Sequence, residues 1–305
     1  MAINYDLLVI TGPTASGKTV LAASVAYRLN GEIISADSRQ IYREMNIGTG
    51  KDYDDYIVNG NLIPVHLIDI ADSGSRFNVF EYQQCFLKAF QDIKSRNKFP
   101  VVCGGSGMYV DSIVSSYKLM EVPPDEALRK DLEEKTIEEL TDILRSYKNL
   151  HNTTDVDTRQ RAIRAIEIEQ YYLDNKESET DLPTFRSLVI GVRYDRESRR
   201  RRISQRLKER LEHGMIEEVQ TLINKGVPVE TLIYYGLEYK FVTLYLTGKM
   251  PYEEMFCRLE VAIHQFAKRQ MTWFRGMERR GIHIHWIDGD IPTAEKVQKI
   301  IELLA

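Results

Sequence analysis

The segment Gly12–Thr19, with the sequence GPTASGKT, is the strongest indication of the fold of this chain. It matches the phosphate-loop pattern GxxxxGK[ST] at every defined position. The apolar run Tyr5–Thr11 (YDLLVIT) precedes it and is typical of a strand buried on both faces, and a helical pattern follows from Lys18 to about Leu29. Because the pattern and its strand–loop–helix context are both present, we predict a cradle of backbone N–H groups for a diphosphate or triphosphate.

The residues of this cradle have distinct physical tasks. Its glycines let the backbone turn so that successive N–H groups converge on one anion, Lys18 adds a mobile positive charge, and the Thr19 hydroxyl can hold Mg²⁺. We therefore predict Mg²⁺ as the cofactor, with Thr19 as its protein ligand. The predicted diphosphate-binding residues are Gly12, Pro13, Thr14, Ala15, Ser16, Gly17, Lys18 and Thr19.

Further apolar runs alternate with helical patterns along the first third of the chain. Gly31–Ala36, Val65–Ile70 and Pro100–Cys103 are predicted as buried strands, and Phe77–Asn97 has helical periodicity. This alternation predicts an α/β fold, a P-loop kinase-like parallel sheet core flanked by helices.

The pattern changes after about Lys118. From Leu119 to Arg186 the sequence has 17 acidic and 10 basic residues, many helix formers and no convincing buried strand, whereas Leu188–Tyr194 returns to the strand pattern. We predict a helical insertion domain at residues 119–186 within a catalytic core formed by residues 1–118 and 187–305.

The remainder of the core is predicted to be mostly helical. A last strand is expected at His283–Ile287, followed by a closing helix at Thr293–Leu304 with Thr293 as its N-cap. The other predicted elements are helices at Asp157–Leu173, Glu197–His213, Ile216–Asn224, Tyr239–Leu246 and Tyr252 to about Arg275.

Two polar segments directly follow predicted strands. Asp37, in DSRQIY, follows the second strand, and Ser106, in GGSGMY, follows the strand that ends at Cys103. Carboxyl ends of parallel strands face the ligand crevice, so a carboxylate there could accept a proton or bind Mg²⁺. A turn or capping role for each is equally compatible with the local sequence. Asp69, in VHLIDI, is a further candidate for a metal-binding carboxylate.

Basic residues are concentrated in two segments. Arg199, Arg202, Arg206 and Arg210 have the spacing of one helix face, which suits a polyanion such as RNA or a departing diphosphate. Near the C-terminus, Lys268 and Arg269 lie close in sequence to Trp273, a mixture suited to RNA backbone and base contacts. A solvated surface face, or a core position for Trp273, remains the alternative.

Composition limits the class of protein. A formal net charge of −4 does not indicate nucleic-acid binding by itself. The three cysteines are far apart and form no CxxC pair, which argues against a zinc site or a disulfide framework, and Cys103 is expected to be a buried small apolar residue. With no run long enough for a membrane span and no leader pattern, we expect a cytoplasmic protein that does not contact a membrane.

Taken together, the motifs resemble the tRNA dimethylallyltransferase (isopentenyltransferase) family. The matching segments run in the family's order over nearly the whole chain. They are GPTASGKT, DSRQIY, IGTGK (Ile47–Lys51), HLIDI, GGSGMYV, the R-AIE segment (Arg164–Glu167) and AKRQMTWFR (Ala267–Arg275).

The resemblance implies an activity and roles for particular residues. The implied reaction moves a dimethylallyl group from dimethylallyl diphosphate to the exocyclic amine of the adenosine beside the anticodon, position 37 of tRNA. Asp37 stands at the family's base position, Ser106 where the family has threonine, and Arg206 at an arginine expected to assist Lys18 with the diphosphate. The implied tRNA-binding residues are Asp37, Ser38, Arg39, Gln40, Ser106, Arg129, Gln160, Arg161, Arg164, Lys268 and Arg269.

The resemblance also implies a binding partner, although two segments of the chain differ from the family pattern and other functions remain possible. We expect a monomer that binds the anticodon stem-loop through the insertion. Gly236-Leu237-Glu238 replaces the family's Gly-Tyr-Lys/Arg, placing an acid at a cation position, and Ile263-His264 replaces its Thr-Arg. The alternatives are prenylation of free adenine nucleotides, a small-molecule kinase that uses ATP, and an RNA-binding protein with an inactive phosphate loop.

Overall fold

The computed structural model describes residues 3–148, 154–175 and 182–305. The chain forms two compact units, one made of Met1–Ser116 with Pro183–Ala305 and the other of Tyr117–Leu182. The corresponding boundaries expected from the sequence were residues 119 and 186. Residues 1–2 of the predicted core and residues 149–153 and 176–181 of the predicted insertion lie outside the described residues.

A six-stranded parallel sheet forms the centre of the first unit. The strands of the chain are β1 (Leu7–Thr11), β2 (Gly31–Ser35), β3 (Ile57–Val58), β4 (Asn61–Leu62), β5 (Val65–His66), β6 (Phe99–Gly104), β7 (Ser187–Arg193) and β8 (Ile284–Asp288). The sheet order is β5-β2-β6-β1-β7-β8, and β3 and β4 form a separate antiparallel pair. The predicted α/β fold with a parallel sheet is confirmed.

Helices flank this sheet and build the second unit. They are α1 (Lys18–Arg28), α2 (Val79–Ser95), α3 (Gly107–Val114), α4 (Glu126–Glu133), α5 (Ile137–Tyr147), α6 (Arg159–Asp174), α7 (Arg196–Glu212), α8 (Met215–Asn224), α9 (Val229–Tyr235), α10 (Leu237–Leu246), α11 (Tyr252–Arg279) and α12 (Thr293–Leu304). Among the described residues, no helix is long and apolar enough to cross a bilayer.

Strand order determines which loops meet. Every residue of β1 is buried, and Leu8 and Ile10 pack in the same core as Leu21 and Val25 of α1. Each such fully buried aliphatic side chain contributes about 1.5–3 kcal/mol of hydrophobic stabilisation. Because β6 lies between β1 and β2, and parallel strands end at the same edge, the segments that follow β1, β2 and β6 emerge side by side.

The second unit has its own small helical core. Leu140 and Leu144 of α5 pack with Leu132 of α4 and Ile166 of α6, and all four are buried. The start of α5 is a capping box in which the Thr136 side chain accepts from the N–H of residue 139, the third position of the helix. Such a cap contributes about 1 kcal/mol to helix stability.

Two local predictions are wrong. The strand expected at Val65–Ile70 keeps only its first two residues, because Leu67 and Asp69 have left-handed φ values of 62° and 56° and leave the ladder. Thr293 is not an N-cap: it is the first residue of α12, Pro292 holds the cap position, and no side-chain cap bond forms there. Pro292 has φ of −56° and ψ of 146°, the non-helical backbone of an N-cap residue, so the helix begins one residue after it.

Candidate active site

The cradle at Gly12–Thr19 occupies the turn between β1 and α1. Gly12 has φ of 151°, and a Cβ there would lie 2.5 Å from the carbonyl oxygen of Val192, so no other residue fits without moving the backbone. Within the described residues, the buried Ser16 Oγ makes no hydrogen bond. A buried hydroxyl without a partner is costly. A phosphate oxygen seated in the cradle would satisfy it.

Lys18, the half-buried cation of the cradle, has a strongly altered environment. Its Nζ donates to the carbonyl oxygen of Pro13 at 3.3 Å. Burial lowers the pKa of Lys18, Arg206 and Arg210 add to this effect, and the carboxylate of Asp37 opposes it. An arriving anion would relieve this unfavourable desolvation and repulsion, so the site favours a multiply charged ligand.

The arginine face predicted on α7 lies against the cradle. Arg202 Nε donates to the carbonyl oxygen of Ala15 at 3.0 Å, and the Arg206 guanidinium donates to Thr14 Oγ1. Burial, followed by the nearby charge of Arg210, lowers the pKa of Arg206 to about 9, which leaves this guanidinium charged at neutral pH. The face is therefore not an ordinary solvated surface.

The sheet brings Ser106 against the turn that contains Asp37 and Ser38, although the two segments are far apart in sequence. Ser106 Oγ accepts from the N–H of Ser38 at 2.9 Å and donates to Ser38 Oγ at 3.1 Å. Asp37 Oδ1 accepts from the N–H of Arg39 at 3.0 Å, which fixes the carboxylate within its own turn. A Cβ on Gly104 would lie 2.1 Å from the Ala36 carbonyl oxygen, so this glycine permits the close approach.

Gln270 is a site residue for which the sequence pattern predicts no separate role. It is 7% exposed, and its side chain connects two glycine-rich turns. Its Oε1 accepts from the N–H of Thr14 at 2.8 Å, and its Nε2 donates to the carbonyl oxygen of Gly105 at 2.8 Å. The only sequence signal for it is its place in AKRQMTWFR, where the adjacent cations attract attention first.

A carboxylate on α8 holds the IGTGK segment. Glu218 accepts from the N–H groups of Asn46, Ile47 and Gly48 at 2.7, 2.6 and 3.1 Å, and from the Tyr239 hydroxyl at 2.7 Å. Three backbone donors on one carboxylate give a rigid turn. The loop at residues 46–51 therefore has a fixed position next to the C-terminal half of α7.

Asp69 does not lie in the cradle. Its carboxylate accepts from Lys51 Nζ and from the Tyr53 hydroxyl, at the end of the sheet formed by β5. Lys51, whose side chain is fully buried, also donates to the carbonyl oxygen of Tyr42. In this structure the charge of Asp69 neutralises a buried lysine, and the suggestion that Asp69 is a metal-binding carboxylate stays a prediction.

The remaining predicted RNA contacts of the first unit have varied surroundings. Lys268 and Arg269 are exposed on α11. The Arg39 guanidinium lies 5.7 Å from the ring centroid of Tyr235. Gln40 is only 8% exposed, and its Nε2 donates to the carbonyl oxygen of Gly50 at 2.9 Å, so its side chain is directed into the protein.

Trp273 packs over Gly107 and donates to Asp111 at 3.0 Å.

In the second unit, two of the predicted RNA-binding arginines share one buried carboxylate. Glu167, with a side chain 2% exposed, pairs with Arg129 at 2.9 Å and with Arg164. Gln160 and Arg161 are exposed at the start of α6, and Arg161 pairs with Asp157 at 3.4 Å. Glu167 thus fixes the orientation of Arg129 and Arg164 on one side of this unit.

The side chains that could bind a metal ion are few in the described part of this structure. No group of three or more His, Cys, Asp or Glu side chains that could hold a metal ion exists within the described ranges. Mg²⁺ commonly keeps several waters and binds through one or two protein oxygens plus substrate phosphates. The Thr19 hydroxyl, at the end of the cradle in the first turn of α1, fits that mode of binding, which does not require a cluster of carboxylates.

The fold and the cradle together define the class of this protein. A parallel sheet whose first strand leads into a phosphate loop, faced by arginines of α7, defines a P-loop α/β protein that binds a diphosphate or triphosphate. The chain belongs to the IPP transferase family, whose sequence model matches residues 40–277.

Similar proteins cover almost the whole chain. It is 60% identical to tRNA dimethylallyltransferase 2 of Bacteroides fragilis over 99% of this chain and 98% of that protein. It is 58% identical to tRNA dimethylallyltransferase 1 of Parabacteroides distasonis over 99% and 98%. Among solved structures, a tRNA isopentenylpyrophosphate transferase from Bacillus halodurans has a TM-score of 0.71 at 30% identity, over 98% of this chain and 95% of that one.

Proposed function

We infer that this chain is a tRNA dimethylallyltransferase, which moves a dimethylallyl group from dimethylallyl diphosphate to the exocyclic amine of adenosine 37 in tRNA. The product is N6-(dimethylallyl)adenosine. The observation that carries this inference is that Ser106 bonds to the turn of Asp37 and Ser38 at the edge of the sheet that also carries the Gly12–Thr19 cradle. An acceptor and an allylic diphosphate can both be held at this edge.

The departing diphosphate needs neutralisation. When the carbon–oxygen bond breaks, its electron pair goes to the diphosphate, and the remaining dimethylallyl cation is stabilised by resonance. Lys18 and Arg206 supply positive charge, and the cradle N–H groups and Ser16 Oγ supply donors to the developing anion. Mg²⁺ bound at the Thr19 hydroxyl would add further charge to the same oxygens.

The acceptor needs a base. An adenine amine is a weak nucleophile, and it must lose a proton as the new carbon–nitrogen bond forms. Asp37 would accept that proton, because the Arg39 N–H holds its carboxylate in place and its charge influences the pKa values of Lys18 and Arg206. Ser106 would orient the acceptor from the adjoining turn. The target base must leave its stack to enter the site.

We also propose what the second unit and the surroundings contribute. The helical unit Tyr117–Leu182 would hold the anticodon stem-loop, with Lys268 and Arg269 of the first unit as further phosphate contacts. A monomeric state and a cytoplasmic location are part of the same proposal. The three free cysteines, Cys85, Cys103 and Cys257, suit a reducing compartment.

The test is direct. Purified protein is incubated with dimethylallyl diphosphate, Mg²⁺ and an anticodon stem-loop, in parallel with AMP, and the nucleosides are analysed by mass spectrometry. We expect one C₅H₈ group on the adenosine beside the anticodon of the stem-loop. Modification of AMP with no modification of the stem-loop would replace this proposal by an adenylate prenyltransferase.

Arg129→Ala is expected to weaken stem-loop binding and to lower the salt dependence of the affinity by about one counterion. The guanidinium is 37% exposed while it pairs with Glu167, so it can contact a phosphate from its present position. Affinity is measured at several salt concentrations. Arg145→Ala is the matched control, since Arg145 is on α5 of the same unit and pairs at the surface with Asp142.

An unchanged salt slope in Arg129→Ala would contradict the contact. Loss of Arg129 leaves Glu167 with Arg164 as its remaining arginine partner, so a thermal melt of the variant is needed. Arg129→Lys keeps the charge and separates a lost phosphate contact from a weakened unit.

A further inference from the structure

A nearly buried ion pair lies on the arginine face of α7, of which Arg206 contacts the cradle, and has no role in the mechanism described above. Arg210, near the end of α7, and Glu238, in the first turn of α10, have side chains 11% and 13% exposed. Their closest nitrogen and oxygen, Arg210 Nη1 and Glu238 Oε1, are 3.9 Å apart. Glu238 is also the acid found where the family resemblance leads one to expect a cation.

Arg210 lies close to the phosphate-binding groups. It is one helical turn beyond Arg206, which contacts Thr14 of the cradle. A Cβ on Gly50 would lie 1.9 Å from Arg210 Nη2, so the guanidinium sits directly over the loop that Glu218 fixes. The charge of Arg210 also contributes to the lowered pKa of Lys18. The guanidinium is thus within electrostatic reach of any anion in the cradle.

Glu238 belongs to the same group of charges. Burial raises the pKa of this carboxyl, Arg210 and Arg206 oppose the effect, and Asp37 adds to it. The charges of Asp37 and Arg210 contribute to the shifted pKa values of Lys18, Arg206 and Glu238. The two carboxylates reduce the positive charge that the three cations offer to a ligand.

The contact between the two side chains is loose. A separation of 3.9 Å is longer than a hydrogen bond, so the carboxylate neutralises Arg210 without saturating its five N–H donors. A diphosphate carries more charge than a carboxylate and presents oxygens that match the guanidinium fork. It can therefore compete with Glu238 for Arg210.

We propose that Glu238 is an exchangeable counterion of Arg210, which neutralises the guanidinium in the free protein and yields it to a diphosphate bound in the cradle. Glu238 then lowers the affinity for pyrophosphate and helps the product to leave, while Arg210 is a further diphosphate-binding residue. This proposal rests on the proposed function for the identity of the anion.

The alternative role for Glu238 is purely structural, in which it holds Arg210 in place for the ligand. The two roles predict opposite signs. If Glu238 competes with the ligand, Glu238→Gln binds pyrophosphate more tightly; if Glu238 positions Arg210, the same variant binds it more weakly.

The experiment is calorimetric titration of the full chain with inorganic pyrophosphate and Mg²⁺. We compare the unsubstituted protein with Glu238→Gln, Arg210→Met and the double variant. We expect about tenfold tighter binding for Glu238→Gln and about tenfold weaker binding for Arg210→Met, the size of one close charge contact. In the Arg210→Met background, Glu238→Gln should change the affinity by less than about threefold.

Three results would overturn the proposal. The first is weaker pyrophosphate binding by Glu238→Gln, and the second is an unchanged pyrophosphate affinity of that variant. The third is an equal gain in affinity from Glu238→Gln with and without Arg210, which would indicate direct repulsion of the ligand by the acid. Glu254→Gln is the control, because it breaks an exposed ion pair with Arg258 on α11. The double variant removes both buried charges and so avoids an unpaired one, and a thermal melt accompanies each protein.

This test is separable from the test of the proposed function, because the titration needs neither RNA nor a prenyl donor. Pyrophosphate affinities that follow the expected pattern, with no prenyl transfer to RNA, would overturn only the proposed function. Normal prenyl transfer with unchanged affinities in the variants would overturn only the exchange.

Discussion

Asp37→Asn is expected to lower kcat for prenyl transfer by about 100- to 10,000-fold, the range for loss of a general base. The amide cannot accept the proton that the adenine amine must lose. It keeps the shape of the carboxylate, and its oxygen can still accept from the Arg39 N–H, so the turn after β2 should remain intact. Single-turnover rates with a saturating stem-loop measure the effect on chemistry directly.

RNA binding provides the necessary comparison for this variant. Stem-loop affinity should stay within about threefold of the unsubstituted protein, since most of the affinity for RNA comes from phosphate contacts. Asp72→Asn is the matched control: it removes an exposed acid that pairs with Arg43 and should leave the rate unchanged. A rate close to normal in Asp37→Asn would remove this residue as the base.

Lys18→Met is expected to reduce kcat/KM for dimethylallyl diphosphate by about 100- to 1,000-fold, as for the loss of one donor to a developing anion. Methionine keeps the length of the side chain but carries no charge, so the departing diphosphate is less neutralised. Pyrophosphate affinity should fall as well. Lys225→Met is the control, because Lys225 is an exposed cation that pairs with Glu44.

The pH dependence gives a second readout for the same lysine. Burial lowers the pKa of Lys18 in the free protein, and a bound anion favours the charged form and raises that pKa. Pyrophosphate binding therefore takes up a proton at pH values above the lowered pKa, and the affinity falls as the pH rises through it. Lys18→Met should lose this part of the dependence. A pH profile identical in both proteins would contradict the assignment.

Much of the fold follows from local patterns. The strand of Leu7–Thr11, the cradle and α1 are encoded in one continuous stretch, and the helices α7, α8, α10 and α11 lie close to their predicted positions. The exceptions have local causes that periodicity does not reveal. Positive φ values at Leu67 and Asp69 end β5 early, although the apolar pattern continues.

The candidate site was only partly predictable. Asp37 and Ser106 are predictable site residues because each follows a buried strand, but the contact between their two turns depends on β2 and β6 being neighbours in the sheet. The spacing of the arginines on α7 indicated one face, yet not what that face contacts. Gln270 was overlooked because its partners, Thr14 and Gly105, are 256 and 165 residues away.

The phosphate cradle at Gly12–Thr19 and its parallel α/β core are predictable from the sequence alone, because strand, loop and helix signals are all local to that segment. That Gln270 occupies the Thr14 N–H and that Arg210 faces Glu238 follows only from the three-dimensional packing. Those contacts arise where separate elements pack, and packing depends on the order of strands and the crossing of helices rather than on neighbouring residues.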